Sequence, residues 1–194
     1  MAEQVHLNFN RLFWNDAHAC LYDVVNGDTR DASIRPNQIF AVSLANPVVD
    51  QERGRKIRIL WAVEKHLLTP LGLRSLAPSD PAYRPYYGGG VASRDSAYHQ
   101  GTVWPWLIGP FIKAYMRVHE NSPDAHEKVK RWLSGFEEHL RTAGLGHISE
   151  VADANPPYNP GGCVAQAWST GELLRAIVED VLHILPPERK ACDG

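Results

Sequence analysis

Helical segments of two kinds alternate along the chain, and this order restricts its fold more than any other feature of the sequence. Segments with a single apolar stripe alternate with segments that are apolar around most of their circumference. The striped segments are 9–21, 51–72 and 122–140, and the others are 35–46, 102–119 and 163–184. A helix that is apolar all round needs neighbours on every side, whereas a striped helix needs them on one side. The alternation therefore predicts two layers of helices, an all-α fold and hardly any β-strand.

Individual residues make these predictions more specific. In segment 102–119, Lys113 is the only charged residue before Arg117, so we expect a buried helix. Ser122 is suited to capping the outer helix of 122–140, and Pro123 to its first turn. The last segment begins with small and apolar residues, and we expect it to be buried. The predicted stripe residues are Phe9, Leu12, Phe13 and Cys20, then Ile57, Leu60, Trp61, Glu64, Leu67 and Leu68, then Val129, Trp132, Leu133, Phe136 and Leu140.

Three long loops rich in glycine and proline separate the helices. They cover residues 22–38, 77–101 and 144–162, and each leads into a segment predicted to be an inner helix. Loops of this length inside a compact domain are usually functional. Because all three enter the inner layer, we expect them to gather at one end of the molecule.

Charge and cysteine content exclude several classes of protein. Lys and Arg number 20 against 22 Asp and Glu, and no basic run follows a phosphate backbone, so we expect no nucleic-acid partner. No apolar run reaches a membrane span and the first residues lack a signal-peptide core, which predicts a soluble, cytoplasmic protein without membrane contact. Cys20, Cys163 and Cys192 form no metal-ligand spacing, so we expect neither metal nor cofactor. The length of 194 residues suits a single domain over 1–194.

Aromatic, amide, carboxylate and guanidinium side chains accumulate in and beside the three loops. Flat aromatic faces stack on the C–H faces of sugars, and planar polar groups bind sugar hydroxyls through directed hydrogen bonds. A single tryptophan of this set fits a core position better, and His99 could equally tie a loop to a helix, so the grouping is what favours a carbohydrate cleft. The candidate substrate-binding residues are Asp31, Arg35, Asn37, Gln38, Asp95, His99, Gln100, Trp104, Trp106, Gln166 and Trp168.

Glu150 is the candidate catalytic residue. Glycosidic cleavage needs two carboxyl groups, one that protonates the leaving oxygen and one that acts as base or nucleophile. Glu150 lies between a tight turn at 144–146 and a rigid proline segment, which would hold its side chain in place. Most surface glutamates are merely solvated, and Asp153 and Asp95 compete for the same role.

Four motifs, taken in order, resemble the C-terminal half of the glycogen debranching enzymes of the amylo-α-1,6-glucosidase type. They are "RPNQIFAVSL", "AYHQGTVWPWLIGPF", "ISEV" and "GGCVAQAWSTGELLR", and the likeness runs from about Trp14 to Leu182. The resemblance implies an (α/α)6 toroid of six helical hairpins. It also implies inverting hydrolysis of α-1,6-glucosidic branch linkages in glycogen or limit dextrin, with Glu150 at the position of the general base.

The sequence departs from this family pattern in one respect. The family's general acid, an aspartate in a tryptophan-rich motif of the earlier half, has no counterpart before Trp14, and three hairpins are present instead of six. We therefore expect about half of the barrel: a fragment, a shortened homologue, or a half-ring completed by a missing N-terminal half or by self-association. The leading hypothesis is a glycosidase that acts on α-glucan or branched maltooligosaccharide, with its acid supplied from elsewhere. The alternatives are a non-catalytic carbohydrate-binding module and a helical interaction module.

Overall fold

The computed structural model describes residues 1–49 and 53–184, and these residues are mostly helical. The α-helices are α1 (Ala2–Leu12), α2 (Phe40–Ser43), α3 (Arg53–Leu67), α4 (Val91–Tyr98), α5 (Ile108–Val118), α6 (Pro123–Leu133), α7 (Gly135–Thr142) and α8 (Ala167–Arg175). Short 3₁₀ helices at Pro36–Ile39 and Pro105–Leu107 lead into α2 and α5, and a π-helical segment, Ala176–Val181, follows α8. None of the described helices has the length and apolar character needed to cross a membrane.

Short β-strands join the helices, so the prediction of an all-α fold was too simple. The strands are β1 (Trp14–Asn15), β2 (Cys20–Leu21), β3 (Val24–Asn26), β4 (Thr29–Asp31), β5 (Leu68–Thr69), β6 (Gly72–Arg74), β7 (Val103–Trp104), β8 (Val151–Ala152) and β9 (Pro160–Gly161). β1 pairs with β2 and β3 with β4, while β5 to β9 form an antiparallel sheet in sequence order. The strands have two or three residues each, which is too short for a period-2 pattern in the sequence.

The predicted helix at 9–21 is wrong beyond Leu12. The chain turns at Asn15, whose side-chain oxygen accepts hydrogen bonds from the backbone N–H groups of Ala17 and His18. Ala19 has a positive φ of 52°, which a helix does not allow. Asparagine favours such local side-chain hydrogen bonds over a helix interior, and here they produce the β1–β2 hairpin.

The inner helix α5 is confirmed. Nine of its eleven residues are buried, and Lys113 and Arg117 are the exposed ones. The outer helix is confirmed in position but divides at Ser134 into α6 and α7. Ser122 caps α6 as predicted, since its hydroxyl accepts from the N–H of Ala125 at 3.3 Å.

The predicted apolar face of α3 is partly wrong. Leu60 and Leu67 are buried as expected, but Trp61 is 54% exposed and Ile57 is 38% exposed. Their places in the core are taken by Ile59, Ala62 and Val63. The Trp61 ring lies outside against its own helix, 4.5 Å from the Lys65 ammonium.

The last helical segment is less buried than predicted. Ser169, Leu173 and Ala176 face the protein, whereas Trp168 is 51% exposed and Leu174 is 60% exposed. α8 packs on α5 and on the 3₁₀ helix before it, and the described residues cover only that side. Burial of the other side of α8, as its apolar sequence predicts, would therefore require a further element packed against it.

Candidate active site

Backbone hydrogen bonds on both sides fix Glu150 at the start of β8. The Glu150 N–H donates to the carbonyl of Cys163 at 2.9 Å, and β8 itself pairs with β7 and β9. The preceding N–H, from Ser149, donates to Nε2 of the buried His139 at 3.1 Å. Glu150 is therefore held at the entry to an interior strand of the sheet, and its position does not depend on a free loop.

The Glu150 carboxylate accepts one hydrogen bond on each oxygen. The Tyr98 hydroxyl donates to Oε1 at 2.5 Å, and the Cys163 N–H donates to Oε2 at 2.9 Å. Gly162 allows this position because a Cβ there would lie 2.5 Å from Oε2, and its φ of +68° favours glycine. The Cys163 thiol also contacts the carboxylate, which keeps a further lone pair for a group such as water.

The electrostatic surroundings keep Glu150 ionised and Tyr98 protonated. Burial raises the pKa of Glu150, but the hydrogen bonds from Tyr98 and Cys163 outweigh it and hold the pKa below its usual value. Burial and the hydrogen bond to Glu150 raise the pKa of Tyr98. The pair thus consists of an anionic acceptor and a neutral donor at physiological pH, as a base requires.

Hydrogen bonds confirm that the three long loops meet at one end. Arg35 from the first loop donates to the carbonyls of Ser75 and His99 and to the side chain of Gln100. Tyr98 from the second loop donates to Glu150 in the third. The predicted residues Arg35, His99, Gln100 and Glu150 are therefore brought together.

The predicted tryptophans form one wall of a cleft of about 490 Å³. The Trp168 ring centroid lies 6.2 Å from that of Trp104 and 6.3 Å from that of Trp106. His99 stacks on Trp104 at 5.5 Å with an interplanar angle of 2°. Other residues that line the cleft are Asp23, Arg35, Asn37, Phe40 and Leu107.

Tyr98 connects this cleft to Glu150, which does not itself line it. The Tyr98 ring meets Trp104 edge to face at 4.7 Å, and the Trp104 Nε1–H donates to the Tyr98 carbonyl. The carboxylate therefore lies behind the ring that flanks the tryptophan wall, at the side of the cleft.

Several predicted site residues are engaged in local structure. Asp31 accepts from the Ser33 N–H, and Gln38 is buried between the Leu21 N–H and the Arg35 carbonyl. Gln166 is the N-cap of α8, and its side-chain oxygen accepts from the N–H of Ala167. Asp95 is exposed on α4. Substrate contact by these four residues stays a prediction.

Asp153, the predicted competitor of Glu150, is occupied on both oxygens. It is 8% exposed and accepts from the Tyr87 N–H at 2.8 Å and from the Asn159 amide at 3.1 Å. Asp153 thus ties two loops together, and its carboxylate is not directed at the cleft.

The candidate residues derived from the sequence did not include Asp23, and Tyr98 was counted among the loop aromatics without a role at the site. Asp23 accepts from the Asn37 amide at 2.7 Å and lies 3.4 Å from the Arg35 guanidinium, with its side chain 13% exposed. Neither residue follows a spacing rule. Asp23 follows β2, a strand that the sequence predicted as helix, so no local signal could have found it.

A mostly helical domain with a held carboxylate beside an aromatic, polar cleft has the chemistry of a carbohydrate-active protein. The family model described as amylo-alpha-1,6-glucosidase matches residues 1–175, so the chain belongs to this family. It is 35% identical over 163 residues to the glycogen debranching enzyme of Saccharomyces cerevisiae (strain ATCC 204508 / S288c). The match covers 74% of this chain but 10% of the yeast protein, so the chain spans about a tenth of that relative.

Proposed function

We propose that this chain supplies the base-carrying part of an inverting glycosidase that hydrolyses α-1,6-glucosidic branch linkages in glycogen or limit dextrin. The observation that carries the proposal is the Glu150 carboxylate, held by two donors where three loops converge beside the tryptophan wall. Family membership supports an α-glucan as substrate.

In this mechanism Glu150 removes a proton from water. Water attacks the anomeric carbon on the face opposite the leaving oxygen, and its proton passes to a free lone pair of the carboxylate. The C–O bond to the main chain breaks, and the leaving oxygen takes a proton from a second carboxylic acid. Inverting enzymes place the two carboxyl groups roughly 6.5–9.5 Å apart, so that water fits between them.

We propose that the general acid comes from outside this chain, in the other half of an (α/α)6 toroid. The outer face of the last helical segment supports this, because its exposed apolar residues form a surface that water disfavours. They are Val164 at 65%, Leu174 at 60% and Leu182 at 57% exposed. Light scattering would identify what covers these apolar residues. A dimer indicates a second copy of the chain, whereas a monomer at high concentration indicates a different polypeptide segment.

A cytoplasmic location is part of the same proposal. Within the described part of the chain, Cys20 and Cys163 are free thiols, as a reducing compartment favours.

The direct test uses α-glucosyl fluoride, because fluoride leaves without help from a general acid and the reaction then depends on the base. We expect fluoride release by the parent chain and a loss of about 100-fold or more in Glu150→Gln. The matched control is Glu137→Gln, an exposed carboxylate on α7, which should keep the parent rate. Equal rates in the parent and Glu150→Gln would remove Glu150 from the mechanism.

Chemical rescue separates a base from a merely structural glutamate. In Glu150→Ala, azide can take the place of activated water, attack the anomeric carbon and expel fluoride, which gives β-glucosyl azide. We expect azide to restore turnover in Glu150→Ala and to leave the parent rate nearly unchanged.

A non-catalytic carbohydrate-binding module is the second candidate. Asp153 favours it, because the acid closest to Glu150 in sequence is 8% exposed and holds the Tyr87 N–H and the Asn159 amide, which leaves no second carboxyl group beside Glu150 in the third loop. This candidate predicts that the chain binds a branched maltooligosaccharide in calorimetry but releases no fluoride. A helical interaction module predicts neither binding nor release.

A further inference from the structure

We propose that Tyr98 is a positioning residue that holds the Glu150 carboxylate in the orientation from which it takes a proton from water. The inference rests on the proposed function of Glu150. Three features of the structure support it: the geometry of the hydrogen bond, the packing of the Tyr98 ring and the tie between Tyr98 and the tryptophan wall.

The hydrogen bond has the geometry of a charge-assisted contact. The Tyr98 hydroxyl lies 2.5 Å from Glu150 Oε1, within the range of about 2.5–2.7 Å expected for a hydroxyl that donates to a carboxylate. The Cys163 N–H occupies Oε2 from the other side. With one donor on each oxygen, rotation of the carboxylate about its last bond would break both contacts.

Aromatic packing fixes the phenol that makes this contact. The Tyr98 ring lies 4.7 Å from Trp104, 4.9 Å from His99 and 5.5 Å from Tyr87, measured between centroids. A ring held by three neighbours has little freedom to swing away, so its hydroxyl is a fixed point. Glu150, by contrast, has three rotatable side-chain bonds and needs such a fixed partner.

The backbone of Tyr98 is tied to the same wall that faces the cleft. Trp104 donates its ring N–H to the Tyr98 carbonyl at 3.0 Å, and the Thr102 hydroxyl donates to the carbonyl of Ala97 at 2.8 Å. One aromatic cluster thus contributes both to the sugar-facing wall and to the alignment of the base.

The titratable groups that face Glu150 among the described residues are Tyr98 and the thiol of Cys163, with Tyr87 behind them. The carboxylate of Glu150 raises the pKa of Cys163, and the pKa of Tyr98 is raised as well, so both stay protonated through the acid range. A titration seen at acid pH at this position therefore belongs to Glu150.

The test compares Tyr98→Phe with Tyr87→Phe, which removes the hydroxyl of the adjacent ring and leaves both Glu150 donors in place. In Tyr98→Phe we expect kcat on α-glucosyl fluoride to fall about 10-fold or more, with KM within about twofold. The acid limb of the rate profile should move to higher pH, since Glu150 loses a donor to its charged form. Tyr87→Phe should keep the parent pH profile.

A second measurement makes the test independent of turnover. Carbon-13 NMR of the Glu δ carbons, with the Glu150 signal assigned by its absence in Glu150→Gln, should show titration at higher pH in Tyr98→Phe than in the parent. An unchanged titration and an unchanged kcat in Tyr98→Phe would overturn the inference. A shifted titration in a chain that releases no fluoride would keep the Tyr98 contact and reject the proposed function.

Discussion

Two aromatic clusters contact α5, and they use similar residues for different purposes. In the C-terminal cluster, which extends from Phe111 toward the end of the helix, Trp132 packs on Phe111 at 5.0 Å and on Tyr115 at 4.8 Å. The Lys128 ammonium lies over the Tyr115 and Trp132 rings at 5.2 and 5.5 Å, and it is paired with Glu64 at 2.7 Å. At this end the protein's own cation and carboxylate complete the polar contacts of the cluster.

At the N-terminal end, ring faces and polar groups are left open. Trp168 is half exposed, His99 is exposed on Trp104, and Glu150 has lone pairs that no described residue uses. The comparison teaches that a mixture of aromatics and acids does not by itself mark a ligand site. A site differs from a core cluster in that its polar groups are held but their contacts are not all satisfied internally.

The largest expected effect is the loss of stability on truncating Trp132. Removing a ring that packs on Phe111 and Tyr115 should cost about 3 kcal/mol in the free energy of unfolding, measured in urea. The control Trp61→Ala removes a half-exposed ring and should cost less than about 1 kcal/mol. Equal costs would show that the C-terminal cluster is no better packed than the surface.

Trp168→Ala should give the opposite result at the cleft. We expect a loss of affinity of about two- to tenfold for a branched maltooligosaccharide in calorimetry, because a stacking ring contributes about 0.5–1.5 kcal/mol. Stability should change little, since Trp168 is half exposed. If affinity is unchanged while stability falls, both clusters are structural and the contrast between them is lost.

Glu64→Gln should cost about 0.5–1 kcal/mol, because it breaks a partly exposed ion pair with Lys128. The cost should shrink in 1 M salt, which screens exposed charges. Glu120→Gln is the matched control, since its pair with Arg53 is more exposed and should contribute almost nothing. A cost that salt leaves unchanged would mean that the Lys128 pair is shielded from solvent.

The smallest expected effect is a loss of stability at acid pH, which is absent at neutral pH. Burial lowers the pKa of His139, whose Nε2 accepts from the Ser149 N–H next to Glu150. A lowered pKa means that the unfolded chain binds the proton first, so stability is complete above pH 6.5 and is lost as the pH falls through the native pKa. We expect His139→Gln, which keeps an acceptor without titrating, to lose less stability than the parent in urea titrations at pH 5.

His119 provides the comparison for the other cluster. Burial and the charges of Arg53 and Lys128 lower its pKa, so acid should also weaken that end. His119→Gln should therefore reduce the acid sensitivity of stability but leave the rate profile on α-glucosyl fluoride unchanged. A change in that profile would connect the two clusters functionally.

Part of the site could be derived from the sequence because it depends on local order. Short stretches of neighbouring residues predict the loop that carries Glu150, the helix cap and the apolar run of α5. The order of loops and inner helices is predicted in the same way. The difference in surroundings between Glu150 and Asp153 is not local. It depends on Tyr98, Cys163, Tyr87 and Asn159, and the Tyr98–Glu150 contact joins residues 52 positions apart.

The sequence by itself determined the inner helix α5, the cap at Ser122 and the family to which the chain belongs. These follow from periodicity, from capping chemistry and from motifs, each contained in a short stretch of residues. Only the tertiary structure decided that residues 14–21 form a hairpin, that Trp61 and Trp168 face outward, and that Tyr98 holds the Glu150 carboxylate. The periodicity of apolar residues shows how apolar the surroundings of a helix must be, but not which element packs against it. Hydrogen bonds between loops that are distant in sequence leave no local pattern of residues.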